Sequence, residues 1–235
     1  MQDQHQSAVC FSARTLSGKK AAGLFIYARI NLVINGDHLM QTDRIAKQTE
    51  FLMELDKLKG VIRRNYINGG ERRENTAEHS WHVALQALLF QEYANEPVQI
   101  DRVIRMLLIH DVVEILAGDT YIYAPGDPGD QAAKEQTAAE TLFGLLPSDQ
   151  SADLKDLWGE FEAIETPEAR FAKAMDRFLP ILQNYHAGGL SWREHHITPK
   201  MVEGIILKIK PGSEALWAYA TQVLEQAVQQ GLFDA

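Results

Sequence analysis

His110, Asp111 and Glu114 interrupt an apolar run, Leu107-Leu108-Ile109-His110-Asp111-Val112-Val113-Glu114, with three groups able to bind a cation or move a proton. On a helix of about 3.6 residues per turn, His110 and Glu114 share a face and Asp111 lies beside them. Burying such a patch among Leu, Ile and Val is costly unless its charges are paired or bound to a metal. A divalent cation meets that cost, whereas a helix that merely surfaces here leaves all three groups in water. The triplet alone does not choose between the two.

Further groups of ligand type are spread along the chain. His79 lies in Glu78-His79-Ser80-Trp81-His82, with His82 three residues on. The zinc-protease pattern His-Glu-x-x-His is absent here, and a histidine so placed is otherwise a core or surface residue. Asp176 stands beside Arg177 among Ala172, Ala174, Met175, Phe178 and Leu179. An acid in that setting calls for a partner, a cation or else Arg177 or a neighbouring lysine. Asp119 follows Gly118 directly. Arg63, Arg64, Arg72 and Arg73 concentrate positive charge in an otherwise acidic chain, and arginine's forked donors match phosphate oxygens. The alternative is a solvated loop whose arginines pair with Glu71 and Glu74.

These residues need elements to carry them. Ile45, Phe51, Leu52, Leu55 and Leu58 set an amphipathic helix from Asp43 to near Gly60. A basic loop through Gly69-Gly70 follows. Asn75 stands three residues before Glu78, the spacing of a capping box, so a helix starts there and runs through Val83 to Phe90. Asp101 is read as the cap of a central helix that crosses the His-Asp triplet and stops near Gly118. Tyr121 to Asp130, with two prolines and two glycines, forms a loop beside the triplet, a lid or a plain connector. Helices are then read over Ala132 to Phe143, Ser148 to Glu165, from Thr166-Pro167-Glu168 with a disturbance at Pro180, from Thr198-Pro199, and over Ser213 to Gln230, ended by Gly231. Trp158, Trp192 and Trp217 belong to the core or to interfaces. No strand series or repeat follows Met40, so the fold class is all-α.

Residues 1–39 read differently. They form an N-terminal extension with a short apolar stretch, Leu24 to Ile34, split by Arg29, which makes a poor signal peptide. Met40 is a candidate native start; the alternative is an accessory hairpin turning at Asn35-Gly36. Residues 40–235 make one domain. A net charge of −9 argues against a nucleic-acid polymer or a membrane surface as partner. Cys10, the single cysteine, excludes an internal disulfide and a thiolate zinc site and suits a reducing cytoplasm. No phosphate-binding Gly-rich Lys-Ser/Thr loop appears, so ATP-driven work has no support.

His79, then His110-Asp111, then Asp176, on three separate helices, resembles the HD-domain metal-dependent phosphohydrolases. Glu78-His79-Ser80, His110-Asp111-x-x-Glu114 and Gly118-Asp119 together resemble the 5′-deoxynucleotidase branch, from about Phe51 to the end of the chain. The resemblance implies a single HD-type helical bundle in which His79, His110, Asp111 and Asp176 bind one divalent cation. Mixed imidazole and carboxylate ligands suit Mn, Co, Fe, Ni or Zn without choosing among them, and Mg is also admitted. It further implies that Glu114 and Asp119 are the catalytic carboxylates and that Arg63 grips the phosphate. Where the branch often has Trp beside that arginine, against the sugar, this chain has Arg64, which leaves the choice between ribose and deoxyribose open.

The expected activity is hydrolysis of (deoxy)nucleoside 5′-monophosphates to nucleoside and phosphate by a homodimeric enzyme. Alternatives are another small phosphoester, such as a nucleoside polyphosphate or cyclic nucleotide, or a non-catalytic module that binds metal or nucleotide. Retention of Glu114 and Asp119 counts against the last. Guanosine tetraphosphate hydrolases usually show His-Asp-x-x-Glu-Asp, whereas Ile115 follows Glu114 here.

Overall fold

The computed structural model describes residues 36–123 and 128–234. The segment read as an extension therefore lies outside the described residues up to Asn35, and a first helix, α1, already runs over Gly36–Leu55. A 3₁₀ turn continues it over Asp56–Gly60, as the amphipathic spacing predicts. Only part of that spacing is used. Phe51 and Leu58 are buried, while Ile45 and Leu52 remain exposed, because the helix meets its neighbours along one edge.

The basic stretch departs from the expected loop. Ile62–Tyr66 (β1) and Arg73–Asn75 (β2) pair antiparallel, with Ile62 opposite Asn75 and Tyr66 opposite Arg73 and an irregularity between them. The hairpin turns through Gly69 and Gly70 at φ +95° and +75°, where residues with a Cβ are disfavoured. Strands this short, carrying arginine instead of alternating apolar residues, give no period-2 signal.

From Asn75 onward the helix starts follow the sequence. Helix α2 covers Thr76–Phe90 and opens on the complete capping box, Asn75 accepting from the Glu78 amide at 2.9 Å and Glu78 from the Asn75 amide at 3.2 Å. Helix α3 (Ile100–Ile109) is capped differently from expectation. Gln99 is at the cap with its amide donating to Glu168 at 2.9 Å, and Asp101 lies inside the first turn, where a carboxylate favours the helix dipole. A short α4 (Glu114–Ala117), α5 (Pro128–Phe143) and α6 (Ser148–Ala163) follow. Helix α7 (Pro167–His186) starts at the Thr166 cap and passes through Pro180 unbroken. Helices α8 (Leu190–Glu194), α9 (Pro199–Ile206, capped by Thr198) and α10 (Glu214–Gln229, capped by Ser213) complete the bundle.

Helix α7 is the axis. It packs against α2, α3, α6, α9 and α10, burying Phe171, Ala172, Met175, Phe178 and Leu179 in the main core with Met106, Leu107 and Trp192. A second core gathers Phe51, Val112, Val113, Leu142, Phe143 and Trp158 from α1, the segment after α3, α5 and α6. Trp217 packs partly buried against the main core. Among the described residues no helix is long and apolar enough to cross a membrane.

Candidate metal centre

The central helix does not run through the triplet. After Ile109 the chain tightens into i→i−3 bonds, Val112 N–H to Ile109 O at 3.1 Å, Glu114 N–H to Asp111 O at 3.0 Å and Ile115 N–H to Val112 O at 3.2 Å, before α4 resumes. At three residues per turn, side chains i and i+3 eclipse, so Glu114 aligns with Asp111. The helix-compatible apolar residues on either side of His110 and Asp111 hide this break. Its stabilisation comes from elsewhere in the chain: the His110 carbonyl, released by the tighter pattern, accepts from the Trp158 indole at 3.2 Å.

The imidazoles are held from behind. His110 is 3% exposed and its Nδ1 donates to the Leu107 carbonyl at 2.8 Å, which fixes the tautomer and leaves Nε2 for the site. His79 is fully buried, its Nε2 3.0 Å from Asp176 Oδ1 and 3.9 Å from Asp111 Oδ2. His110 Nε2 lies 3.0 Å from Asp111 Oδ2 and 3.7 Å from Asp176 Oδ1. Asp176, on the buried face of α7, offers its other oxygen to Arg177 at 2.9 Å, the ion-pair partner the sequence suggests for it. His82, by contrast, points away from the site, exposed beside the Trp81 ring.

Arg63 bridges the anions. Its Nη1 is 2.8 Å from Asp111 Oδ2, 3.9 Å from Glu114 Oε1 and 3.8 Å from Asp119 Oδ1. Thr76 donates to Glu114 Oε2 at 2.8 Å. Arg64 is exposed on the wall of the same cleft, about 270 Å³, which is lined also by Asp111, Glu114, Asp119, Asp176, Tyr121 and Tyr123. Arg72 and Arg73 are taken up elsewhere, pairing with Glu78 and Glu194 at 2.7 Å each.

Burial and charge act together on these groups. Burial lifts the Glu114 carboxyl and the neighbouring Asp111 adds to it, pushing it up to about 9. Asp119 is also raised, chiefly by burial. Burial works against the charged form of His110, but Asp111 and Asp176 outweigh it and raise the imidazole to about 10. Burial is likewise overcome at Asp111, by His110, and at Asp176, by Arg177; both carboxyls fall below their ordinary range.

This donor set suits a divalent cation. Atoms of His79, His110 and Asp111 lie within 4.8 Å of one another, and Asp176 touches both rings. The buried His110 Nε2 makes no aligned hydrogen bond despite its carboxylate neighbours, as a nitrogen meant for coordination would. Residues that the sequence reading does not assign to the site complete the surroundings: Trp158, Thr76, Gln183 and above all Glu74. The last is not the solvated ion-pair partner the sequence suggests; it is 2% exposed. Nothing in the local pattern signals this, since Gln183, 109 residues away, helps to enclose it.

The family model described as HD domain matches residues 55–217. The 5′-deoxynucleotidase HDDC2 of Xenopus laevis is 34% identical over 138 residues, 57% of this chain and 66% of that protein. The chain thus spans just under two thirds of that relative's length. The 5′-deoxynucleotidase hdd1 of Schizosaccharomyces pombe is 26% identical over 191 residues, covering 73% of this chain and 93% of its own. A crystal structure of a protein from Magnetospirillum magnetotacticum, described as a predicted metal-dependent phosphohydrolase, superposes with a TM-score of 0.78 at 48% identity, covering 83% of this chain and 98% of that one.

Proposed function

Because the chain belongs to the HD-domain family, we propose that it is a metal-dependent phosphomonoesterase that hydrolyses (deoxy)nucleoside 5′-monophosphates to nucleoside and phosphate. The observation that carries this reading is the convergence of His79, His110, Asp111 and Asp176 beside Arg63, Glu114 and Asp119 at one cleft. The relatives named 5′-deoxynucleotidase support the substrate class.

His79, His110, Asp111 and Asp176 hold the cation. Among first-row metals Mn, Co, Fe, Ni and Zn fit the donor types, and Mg remains admissible. When bound, such an ion neutralises charge developing on a phosphoryl group and makes water acidic enough to attack at neutral pH. The chain's own residues do the rest. Arg63, its guanidinium between Asp111, Glu114 and Asp119, presents forked donors to the phosphate oxygens. Glu114, oriented by Thr76, and Asp119 divide the two proton transfers, one from water and one to the departing sugar oxygen. Arg64 on the cleft wall faces the sugar side. The enzyme works in the cytoplasm as a homodimer on small nucleotides.

The test is phosphate release from ribo- and deoxyribonucleoside monophosphates by EDTA-stripped protein resupplied with Mn, Co, Ni, Zn or Mg, with Asp111→Ala alongside. Metal-dependent release that vanishes in the variant is expected. Metal binding with no release from any monophosphate would sink the monoesterase reading and favour another phosphoester or a sensing role.

A further inference from the structure

Glu74, on β2, is the most enclosed carboxylate near the cleft and has no part in the scheme above. Its Oε1 accepts from the Gln183 amide at 2.6 Å, and Gln183 in turn accepts from Asn65 at 3.3 Å. Its Oε2 is buried without a hydrogen bond. Two further buried atoms without hydrogen bonds stand against that oxygen: Nδ1 of His79 at 3.4 Å and Nε of Arg63 at 3.7 Å. One acceptor and two nitrogens, each otherwise unpaired, thus face one another in a space closed to water. Contraction by about half an ångström at His79 and about 0.8 Å at Arg63 turns them into two charge-assisted hydrogen bonds, with N–H···O near 2.9 Å.

We infer that Glu74 is a shared positioning residue, a single buried carboxylate that sets both the metal-ligating tautomer of His79 and the aim of the phosphate-gripping Arg63. The inference rests on the metal and phosphate reading above.

Each ring or fork has two ends, and Glu74 takes the rear one. With the proton of His79 on Nδ1 toward Glu74, Nε2 would have a lone pair to offer a cation in place of the hydrogen bond it makes here to Asp176. With Nε of Arg63 toward Glu74, Nη1 is left toward Asp111, Glu114 and Asp119. A carboxylate behind a ligating histidine fixes ring orientation and raises ligand basicity. Serving the arginine with the same oxygen ties the ion's position to that of the phosphate. Gln183, reaching from α7, holds the carboxylate between them.

Glu74→Gln separates this role from simple packing. If its amide oxygen stays on Gln183, an NH₂ group meets the two donors of His79 and Arg63. If the amide turns over, two amide NH₂ groups face each other at Gln183. Either orientation removes the negative charge. The measurements are calorimetric titration of EDTA-stripped protein with Mn²⁺ alone, and of the Mn²⁺-loaded protein with inorganic phosphate. Mn²⁺ affinity is expected to fall about 10- to 100-fold, and phosphate affinity to fall with it at saturating metal. Unchanged affinities for both in a folded variant, or a lowered melting temperature alone, would overturn the inference, and so would loss confined to one ligand. Should Glu74→Gln fail to fold, Gln183→Leu, which frees Oε1 while keeping the charge, is expected to weaken both affinities to a smaller degree; no change in either overturns the role. Wild-type protein that binds no divalent metal would instead bring down the functional reading itself, whereas wild-type binding matched by the variants refutes the role of Glu74 alone.

Discussion

Replacing Trp158 by Phe tests whether the break in the central helix is held by its long-range hydrogen bond. The indole Nε1 donates to the His110 carbonyl, which the tightened turn withholds from the ordinary helical pattern. Phe keeps an aromatic ring in the second core but has no donor. A buried carbonyl left unpaired costs about 1–3 kcal/mol. The smaller ring, at a site only 6% exposed, gives up roughly 1 kcal/mol of burial. Together these make roughly 2–4 kcal/mol, or a fall of about 4–16 °C in melting temperature for a chain of this size. Thermal unfolding in EDTA reads that loss. Repeating it in excess Mn²⁺ reads the site, because a ligand stabilises the folded chain in proportion to the logarithm of its affinity. If the loosened turn displaces His110 enough to weaken the ion tenfold, the metal-induced stabilisation shrinks by about 1.4 kcal/mol. A fall of less than about 2 °C in EDTA would refute the hydrogen-bond account. A large fall with an unaltered metal increment would show that Trp158 serves packing and leaves the ligand in place.

Glu114→Gln, keeping the shape and the Thr76 contact, should leave Mn²⁺ binding intact while phosphate release drops by about 10²- to 10⁴-fold; loss of metal along with activity would reassign Glu114 to the ligand set. Acid sensitivity should follow Glu160, where burial raises the carboxyl but hydrogen bonds from Arg102 and Thr166 outweigh it and lower it. A carboxyl depressed in the folded state contributes stability above its unfolded value and loses it as pH falls through the folded one. The deficit of Glu160→Gln, about 1 kcal/mol for a partly exposed pair, should therefore be full at pH 7 and shrink as pH falls below the unfolded value of about 4.3. A deficit that does not shrink between pH 7 and pH 3 would point to packing in place of charge.

Much of the architecture is legible because it is written locally. Asn75 with Glu78, Thr166 with Pro167, Thr198 with Pro199 and Ser213 each mark a helix start through a side chain a few residues from the amide it satisfies. Likewise the three separated groups His79, His110-Asp111 and Asp176 keep their order and meet in space. Distant causes are what the sequence conceals. Apolar periodicity continues across His110 to Val113, yet the helix breaks there with its carbonyl taken by Trp158 on α6. The β1–β2 hairpin is too short and too basic for alternation to show. Glu74 sits among arginines and reads as solvated, whereas packing against α7 removes it from water. Asp101 looks like a cap because its type fits, but the helix begins at Ile100 and Gln99 meets Glu168 instead.

The break after Ile109 also sends the chain from one apolar cluster to the other. Met106 and Leu107 belong to the core around α7, Val112 and Val113 to the core of α1, α5 and α6, and Ile109 packs against both. Between them stand His110 and Asp111, two of the four proposed ligands, at the junction of the two clusters. An ion held by the proposed ligands would tie that junction to His79 on α2 and Asp176 on α7, so that coordination resists the opening of either cluster. Cooperative units that open separately exchange their amide hydrogens at separate rates. Metal loading should draw the slowest amides of the two clusters toward a common rate, making the cation a coupler of the fold as well as a reagent in the cleft.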